Sequence, residues 1–196
     1  MRANQQRNQL RIIAGAWRGR KLAFAPVTGL RPTPDRVRET LFNWLGLSVH
    51  GARCLDLFAG SGALGLEAAS RGAAAVVLVD AETLVTHTLQ EQVRVLDARQ
   101  VHIVQATCER FLRGAAEPFD LVFLDPPYRQ GLLPECMELL EQRGWLAPNA
   151  WIYLETERGL ELPLPGNWEL YRSKTTGQVG YHLVRRSAVR GQPHRP

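Results

Sequence analysis

The sequence predicts an α/β fold: a mostly parallel sheet wrapped by helices, closed by a C-terminal antiparallel hairpin and preceded by an N-terminal one. Three observations predict it. Short apolar runs alternate with stretches of helical spacing from Ala52 to Leu154, as parallel strands joined by crossover helices require. Beyond them, Trp168-Glu169-Leu170-Tyr171 and Val179-Gly180-Tyr181-His182-Leu183-Val184 flank Thr176-Gly177, a hairpin signal. Ahead of them, two short strand-like runs surround a glycine-bounded turn.

Taken in order, Leu10-Arg11-Ile12-Ile13 and Arg20-Lys21-Leu22-Ala23-Phe24 are those first runs, and Gly15-Ala16-Trp17-Arg18-Gly19 supplies the turn. An isolated hairpin is marginal, so this one is expected to lean on the main domain or to order on a partner. A linker follows, in which Thr33 reads as N-cap and Pro34 as the first residue of a helix. Val37, Leu41, Trp44 and Leu45 carry that helix at apolar spacing, and Gly46 lies near its end. Strands are expected at residues 54–58, 75–79, 101–104, 120–124 and 150–154. Helices are expected between them at 63–70, 82–97, 109–113 and 132–143. The organisation reads as a basic extension over residues 1–30, a main domain over 31–186 and a basic tail over 187–196. The tail is rich in Gly, Pro and Arg and is expected to be disordered.

A chain of 196 residues suffices for one full core and a short appendage. No apolar run approaches the roughly 18 residues a membrane span needs, and no apolar segment of signal type follows the basic start. Cys54, Cys108 and Cys136 form no C-x-x-C spacing, so neither a disulfide framework nor a metal site is expected. All three read as packed thiols, and a reducing cytoplasm is the expected compartment. The net charge of +5 conceals an asymmetry. Residues 1–38 hold nine Lys/Arg against one acid, residues 39–184 hold eleven against eighteen, and four arginines follow from Arg185. Basic ends on an acidic body suit contact with phosphate. Lys21 and Lys174 are the only lysines, and arginine favours bidentate phosphate contacts and stacking on bases.

Ligands of such sheets sit beyond the carboxyl ends of the strands, so the residues there matter most. After the first expected strand comes Asp56-Leu57-Phe58-Ala59-Gly60-Ser61-Gly62-Ala63-Leu64-Gly65, and Asp80 ends the second. Glycines let the backbone approach a ligand, and Asp80 stands at the spacing of a ribose-binding acid, so a dinucleotide-dependent dehydrogenase must be weighed. Two features separate the readings. Asp56 would repel a pyrophosphate but would attract a ligand bearing an ammonium and a sulfonium. The fourth strand ends in Asp125-Pro126-Pro127-Tyr128, which hydride transfer does not require.

The Asp56-x-Phe58-Ala59-Gly60-Ser61-Gly62 loop followed by Asp125-Pro126-Pro127-Tyr128 resembles the class I, Rossmann-like methyltransferases that act on exocyclic amines. Two further blocks, Arg11-Ile12-Ile13-Ala14-Gly15-Ala16-Trp17-Arg18-Gly19-Arg20-Lys21-Leu22 and Arg31-Pro32-Thr33-Pro34-Asp35-Arg36-Val37-Arg38-Glu39-Thr40-Leu41-Phe42-Asn43, narrow it. With them the chain resembles the RsmD family of bacterial 16S rRNA guanine-N2 methyltransferases, over residues 10–185. The resemblance implies S-adenosylmethionine as cofactor and a guanine of the 966 type in 16S rRNA, within a partly or fully assembled small subunit, as substrate. It implies a cytoplasmic monomer with no membrane partner. By resemblance Asp56, Phe58, Ala59, Gly60, Ser61 and Gly62 hold the methionine part, and Asp80 with Ala81 the ribose. Thr107 and Cys108 face the adenine; many relatives carry Asp or Asn where Thr107 stands, which shifts the expected adenine contact to the Cys108 N–H.

The chemistry explains the Asp-Pro-Pro-Tyr turn. A guanine amine has its lone pair delocalised into the ring and is a poor nucleophile. The Asp125 carboxylate and the Pro126 carbonyl can hold its two N–H bonds and favour a pyramidal nitrogen. Pro126 and Pro127 stiffen the turn, and Tyr128 can stack on the base. Positioning and electrostatics then suffice for in-line displacement, with no metal. Arg11, Trp17, Arg18, Arg20 and Lys21 of the hairpin are expected at the RNA. Arg36 and Arg38 could face RNA, the cofactor carboxylate or solvent. No histidine is nominated, because His50, His87, His102 and His182 share no spacing. A DNA or protein amine methyltransferase shares the motif chemistry, and a non-catalytic RNA-binding module is the third reading.

Overall fold

The protein is described here by a computed structural model covering residues 8–127, 131–160 and 163–188. β1 (Gln9–Arg11) and β2 (Lys21–Ala23) pair antiparallel as the expected N-terminal hairpin. The remaining strands form one seven-stranded sheet. β3 (Arg53–Asp56), β4 (Ala75–Asp80), β5 (Val101–Gln105), β6 (Phe119–Leu124) and β7 (Leu146–Glu157) are parallel to one another. β8 (Trp168–Thr176) and β9 (Val179–Arg186) close it antiparallel. The order is β5-β4-β3-β6-β7-β9-β8, so the chain reverses direction across the sheet between β3 and β6. This α/β Rossmann-like topology opens its crevice at that switch point, beyond the carboxyl ends of those two strands.

Helices cover both faces. α1 (Asp35–Leu45), α2 (Ala63–Ser70) and α3 (Thr83–Leu96) pack on one face, where Leu41, Phe42, Leu66 and Leu89 meet Leu121, Phe123 and Tyr153. α4 (Cys108–Leu112) and α5 (Leu133–Gln142) pack on the other with Val122, Leu124, Ile152 and Leu154. None of the helices among the described residues is long and apolar enough to cross a membrane. The two inner faces follow from strand alternation: successive residues of β6 and β7 feed opposite cores.

The hairpin leans on the main domain. Ile12 and Leu22 enter the same core as α1 and α2. Glu67 of α2 accepts from the Ile13 and Ala14 N–H groups at 2.9 and 3.0 Å, and Ser70 joins Ala14, Ala16 and Trp17. Every residue of α2 is therefore buried, since the sheet covers one side and the hairpin another. Gly15 makes this approach possible. It has φ of 83°, and a Cβ there would stand 1.8 Å from the Ser70 carbonyl oxygen.

Two expectations are corrected. α1 begins at Asp35 with Pro34 at the cap position and no side-chain cap; Thr33 instead turns its hydroxyl to Asp125 at 3.4 Å. The partly buried carboxylate needs the hydroxyl's proton, whereas the helix end needs only an acceptor for its N–H groups, which water can supply. β7 runs four residues further toward the N-terminus than the 150–154 expected, where Leu146 pairs with Phe119 of β6, and three further toward the C-terminus, where β9 pairs with it as far as Glu157↔Val179. Residues 189–196 and Tyr128 lie outside the described residues, so the tail and the last member of the Asp-Pro-Pro-Tyr turn have no structural account.

Candidate active site

Four acids gather at the carboxyl edge of the sheet because four strands end there. Asp56 ends β3 and is 1% exposed. One of its carboxylate oxygens accepts from the Gly65 N–H at 3.1 Å, while Oδ1 is buried without a partner among the described residues. Burial pushes its pKa up to about 7, with the Gly65 and Phe58 N–H groups opposing. Asp80 ends β4 and accepts from the Gly60 and Glu82 N–H groups at 2.9 Å each. Each of its oxygens keeps a second lone pair free for a ligand, on a partly exposed residue followed by the exposed Ala81.

Between those acids runs the loop from Leu57 to Gly62. Ala59 donates to Val79 of the neighbouring strand and accepts from the Gly62 N–H at 2.7 Å, which closes a tight turn. Gly60 and Gly62 hold φ of 50° and 78°, values that glycine adopts without strain. Ser61 and Ala59 are buried, while Phe58 packs against the α4–α5 core. Thr107 caps α4, its hydroxyl accepting from the Arg110 N–H at 3.2 Å. Cys108 is buried with its thiol 3.5 Å from that of Cys136.

Asp125 leaves β6 beside this loop. Asp56 pairs in register with Phe123, so Asp125 stands two residues further along the adjacent strand. Burial lifts the Asp125 carboxyl well above the usual carboxylate range, aided by the nearby Glu155 and Asp56 charges and opposed by the Thr33 hydroxyl. Pro126 is partly buried and Pro127 exposed at the rim. The fourth acid, Glu155 near the end of β7, was missed by sequence reasoning, as was Thr33 as its neighbour's donor. The signal was present for Glu155: an acid next to the apolar run that forms the fifth parallel strand, placed as Asp56, Asp80 and Asp125 are.

The basic candidates separate. Arg18, Arg20 and Lys21 are exposed on the hairpin. Arg11 is exposed and pairs with Asp35 at 3.2 Å. Trp17 is half-buried against the main core rather than free at the surface. Arg36 is exposed and lines a groove of about 460 Å³ with Pro34, Thr40, Lys174 and Tyr181. Arg38 is a correction: it is 0% exposed and serves neither RNA nor solvent. It donates to Asp35 at 2.6 Å, Glu67 at 3.3 Å and the Arg11 carbonyl at 2.8 Å, because it points down the helix face that carries Val37 and Leu41.

Residues 10–185 match the family model described as "Conserved hypothetical protein 95". This chain belongs to that family, the RsmD methyltransferases. It is similar to the "Ribosomal RNA small subunit methyltransferase D" of Escherichia coli, 51% identical over 181 residues, with 92% of this chain and 91% of the relative covered. A Haemophilus influenzae relative of the same name is 45% identical over 181 residues, covering 90% and 94%. The solved structure of a putative methyltransferase from Escherichia coli superposes with a TM-score of 0.85 at 52% identity, covering 92% of this chain and all but 1% of that one. S-adenosylmethionine is the methyl donor of the RsmD methyltransferases. The residues at the switch point fit it: a buried carboxyl at Asp56 with one oxygen unpartnered among the described residues, a tight glycine turn beside it, and a carboxylate with free lone pairs at Asp80.

Proposed function

We propose that this protein transfers a methyl group from S-adenosylmethionine to the exocyclic N2 amine of a guanine in 16S rRNA, a guanine of the 966 type. The observation that carries the reading is the adjacency of Asp56 and Asp125 on neighbouring strand ends. One acid suits a cationic donor, and the other stands where an acceptor amine would meet it. When bound, the cofactor supplies a methyl carbon made electrophilic by its sulfonium. Asp56, Phe58, Ala59, Ser61 and the Gly60 and Gly62 turn hold its methionine part, Asp80 and Ala81 its ribose, and the Cys108 backbone N–H its adenine. Thr107 contributes by fixing the start of α4.

The amine is pinned between the Asp125 carboxyl and the Pro126 carbonyl, with Pro127 stiffening the turn and Tyr128 stacking on the base. The work done is orientation and electrostatic stabilisation. Arg18, Arg20 and Lys21, with Arg11 at the hairpin edge, meet phosphate, and the groove between Arg36 and Lys174 carries the chain flanking the target. The names of the Escherichia coli and Haemophilus influenzae relatives support ribosomal RNA of the small subunit as substrate.

The test is methyl acceptance from labelled S-adenosylmethionine by unmodified small subunits, naked 16S rRNA and DNA, followed by mass-spectrometric mapping of the modified base. N2-methylguanosine in 16S rRNA is the expected product. Label in DNA or in protein alone would replace this reading with the other amine methyltransferase readings, and binding of RNA without transfer would leave a non-catalytic module.

A further inference from the structure

Glu155 stands beside Asp125, and no step described so far uses it. Leu124 of β6 pairs in register with Leu154 of β7, so the next residue on each strand, Asp125 and Glu155, emerge side by side on the same face. Glu155 is only 8% exposed, and the two carboxyls stand close enough for each to shift the titration of the other. The buried Tyr153 hydroxyl donates to Glu155 Oε1 at 2.7 Å. Around the pair stand Asp56 from β3, Thr33 ahead of α1, and Tyr181 of β9, which lies opposite Glu155 in register. No Lys, Arg or His forms an ion pair with either carboxyl among the described residues.

Two carboxylates held side by side, one buried and one partly buried, with no cation paired to either, do not both ionise at neutral pH. They keep one proton between them. Each carboxyl has one hydroxyl donor, and the shorter decides where it rests: Tyr153 reaches Glu155 at 2.7 Å against 3.4 Å from Thr33 to Asp125, so charge is held on Glu155 and the proton sits on Asp125. Burial raises both groups, and the Tyr153 and Asp125 donors oppose the rise at Glu155.

We propose that Glu155 is the terminal proton acceptor of methyl transfer, acting through Asp125. As the guanine nitrogen forms its bond to the methyl carbon, the bond from that carbon to sulfur breaks and its electron pair stays on sulfur. The nitrogen becomes a secondary ammonium with one proton too many. That proton passes to the Asp125 oxygen holding it, while the proton Asp125 already carried moves to Glu155. The carboxyl pair, singly negative before transfer, is neutral after it, and loses the proton to water when product leaves. Glu155 touches no substrate atom, and the proposal rests on the amine-methylation reading above.

The experiment is single-turnover methyl transfer to unmodified small ribosomal subunits between pH 5.5 and 8.5, with saturating S-adenosylmethionine. Glu155→Gln, which cannot take up a proton, is expected to slow transfer roughly ten- to a hundredfold, while calorimetry shows cofactor affinity within about threefold of wild type. Tyr153→Phe removes the donor that holds charge on Glu155. The pair then takes its second proton at higher pH, and the acid limb of the rate profile moves upward. A Glu155→Gln rate within about twofold of wild type, or an unmoved acid limb in Tyr153→Phe, overturns the proposal. If Glu155→Gln does not fold, the near-isosteric Tyr153→Phe decides alone. Wild-type enzyme that methylates no RNA would instead sink the reading beneath it.

Discussion

Arg36 and Arg38 lie two residues apart on α1 and have opposite fates, since positions i and i+2 of a helix point to different faces. Arg36 is exposed at the groove, whereas Arg38 is fully buried and held by two acids and a carbonyl. Arg38→Ala would remove one of the two cations on the buried Glu67, leaving Arg71 at 2.8 Å, and is expected to cost about 3 kcal/mol of stability in denaturant titration. Arg36→Ala should leave stability unchanged and weaken RNA binding. Asp56 gives a second prediction at this scale. With its pKa near 7 in the free protein, it must lose a proton to receive the cofactor's ammonium. Affinity for S-adenosylmethionine should therefore rise with pH up to about 7 and level off above it. Calorimetry at pH 5.5 to 8 checks this, and a flat profile would mean that Asp56 does not face the ammonium.

The elements are joined by a few polar clusters as much as by apolar packing. Glu141 on α5 accepts from Arg186 of β9 at 2.7 and 2.8 Å, from Trp168 of β8 at 2.8 Å and from Asn167 at 2.8 Å. These bonds, Arg186 first, lower its pKa to about 2 from the ordinary 4.5. A carboxyl whose folded pKa is depressed stabilises the fold above its unfolded pKa. The contribution is thus full above about pH 4.5 and is lost as pH falls towards 2. Glu141→Gln should destabilise by roughly 2–3 kcal/mol at neutral pH, and the difference from wild type should shrink through that window in thermal melts. The hairpin offers a parallel case. Gly15→Ala should cost more than about 1 kcal/mol, because the hairpin must back away from Ser70.

At the scale of the molecule, charge is the organising quantity. On the proposed function the basic hairpin meets RNA and the acidic strand ends meet the methyl donor, so the two bindings should respond to different substitutions. Replacing Arg18, Arg20 and Lys21 together with Gln should lower RNA affinity and reduce the slope of log affinity against log salt by about two, with cofactor affinity unchanged. Asp125→Ala should do the reverse, abolishing transfer while both ligands still bind. An unchanged salt slope would place the RNA elsewhere.

Much was legible in residue order alone. The strand and helix succession, the Asp56–Gly62 loop, Asp80 and the Asp125 turn depend on local periodicity and on residue types at strand ends, which neighbours in the chain reveal. The burial of Arg38, the diversion of Thr33 from its helix to Asp125, the extension of β7 and the pairing of Glu155 with Asp125 were decided by tertiary structure. Each arises where segments distant in sequence compete for the same donor, acceptor or strand edge, and one-dimensional spacing carries no record of which competitor wins.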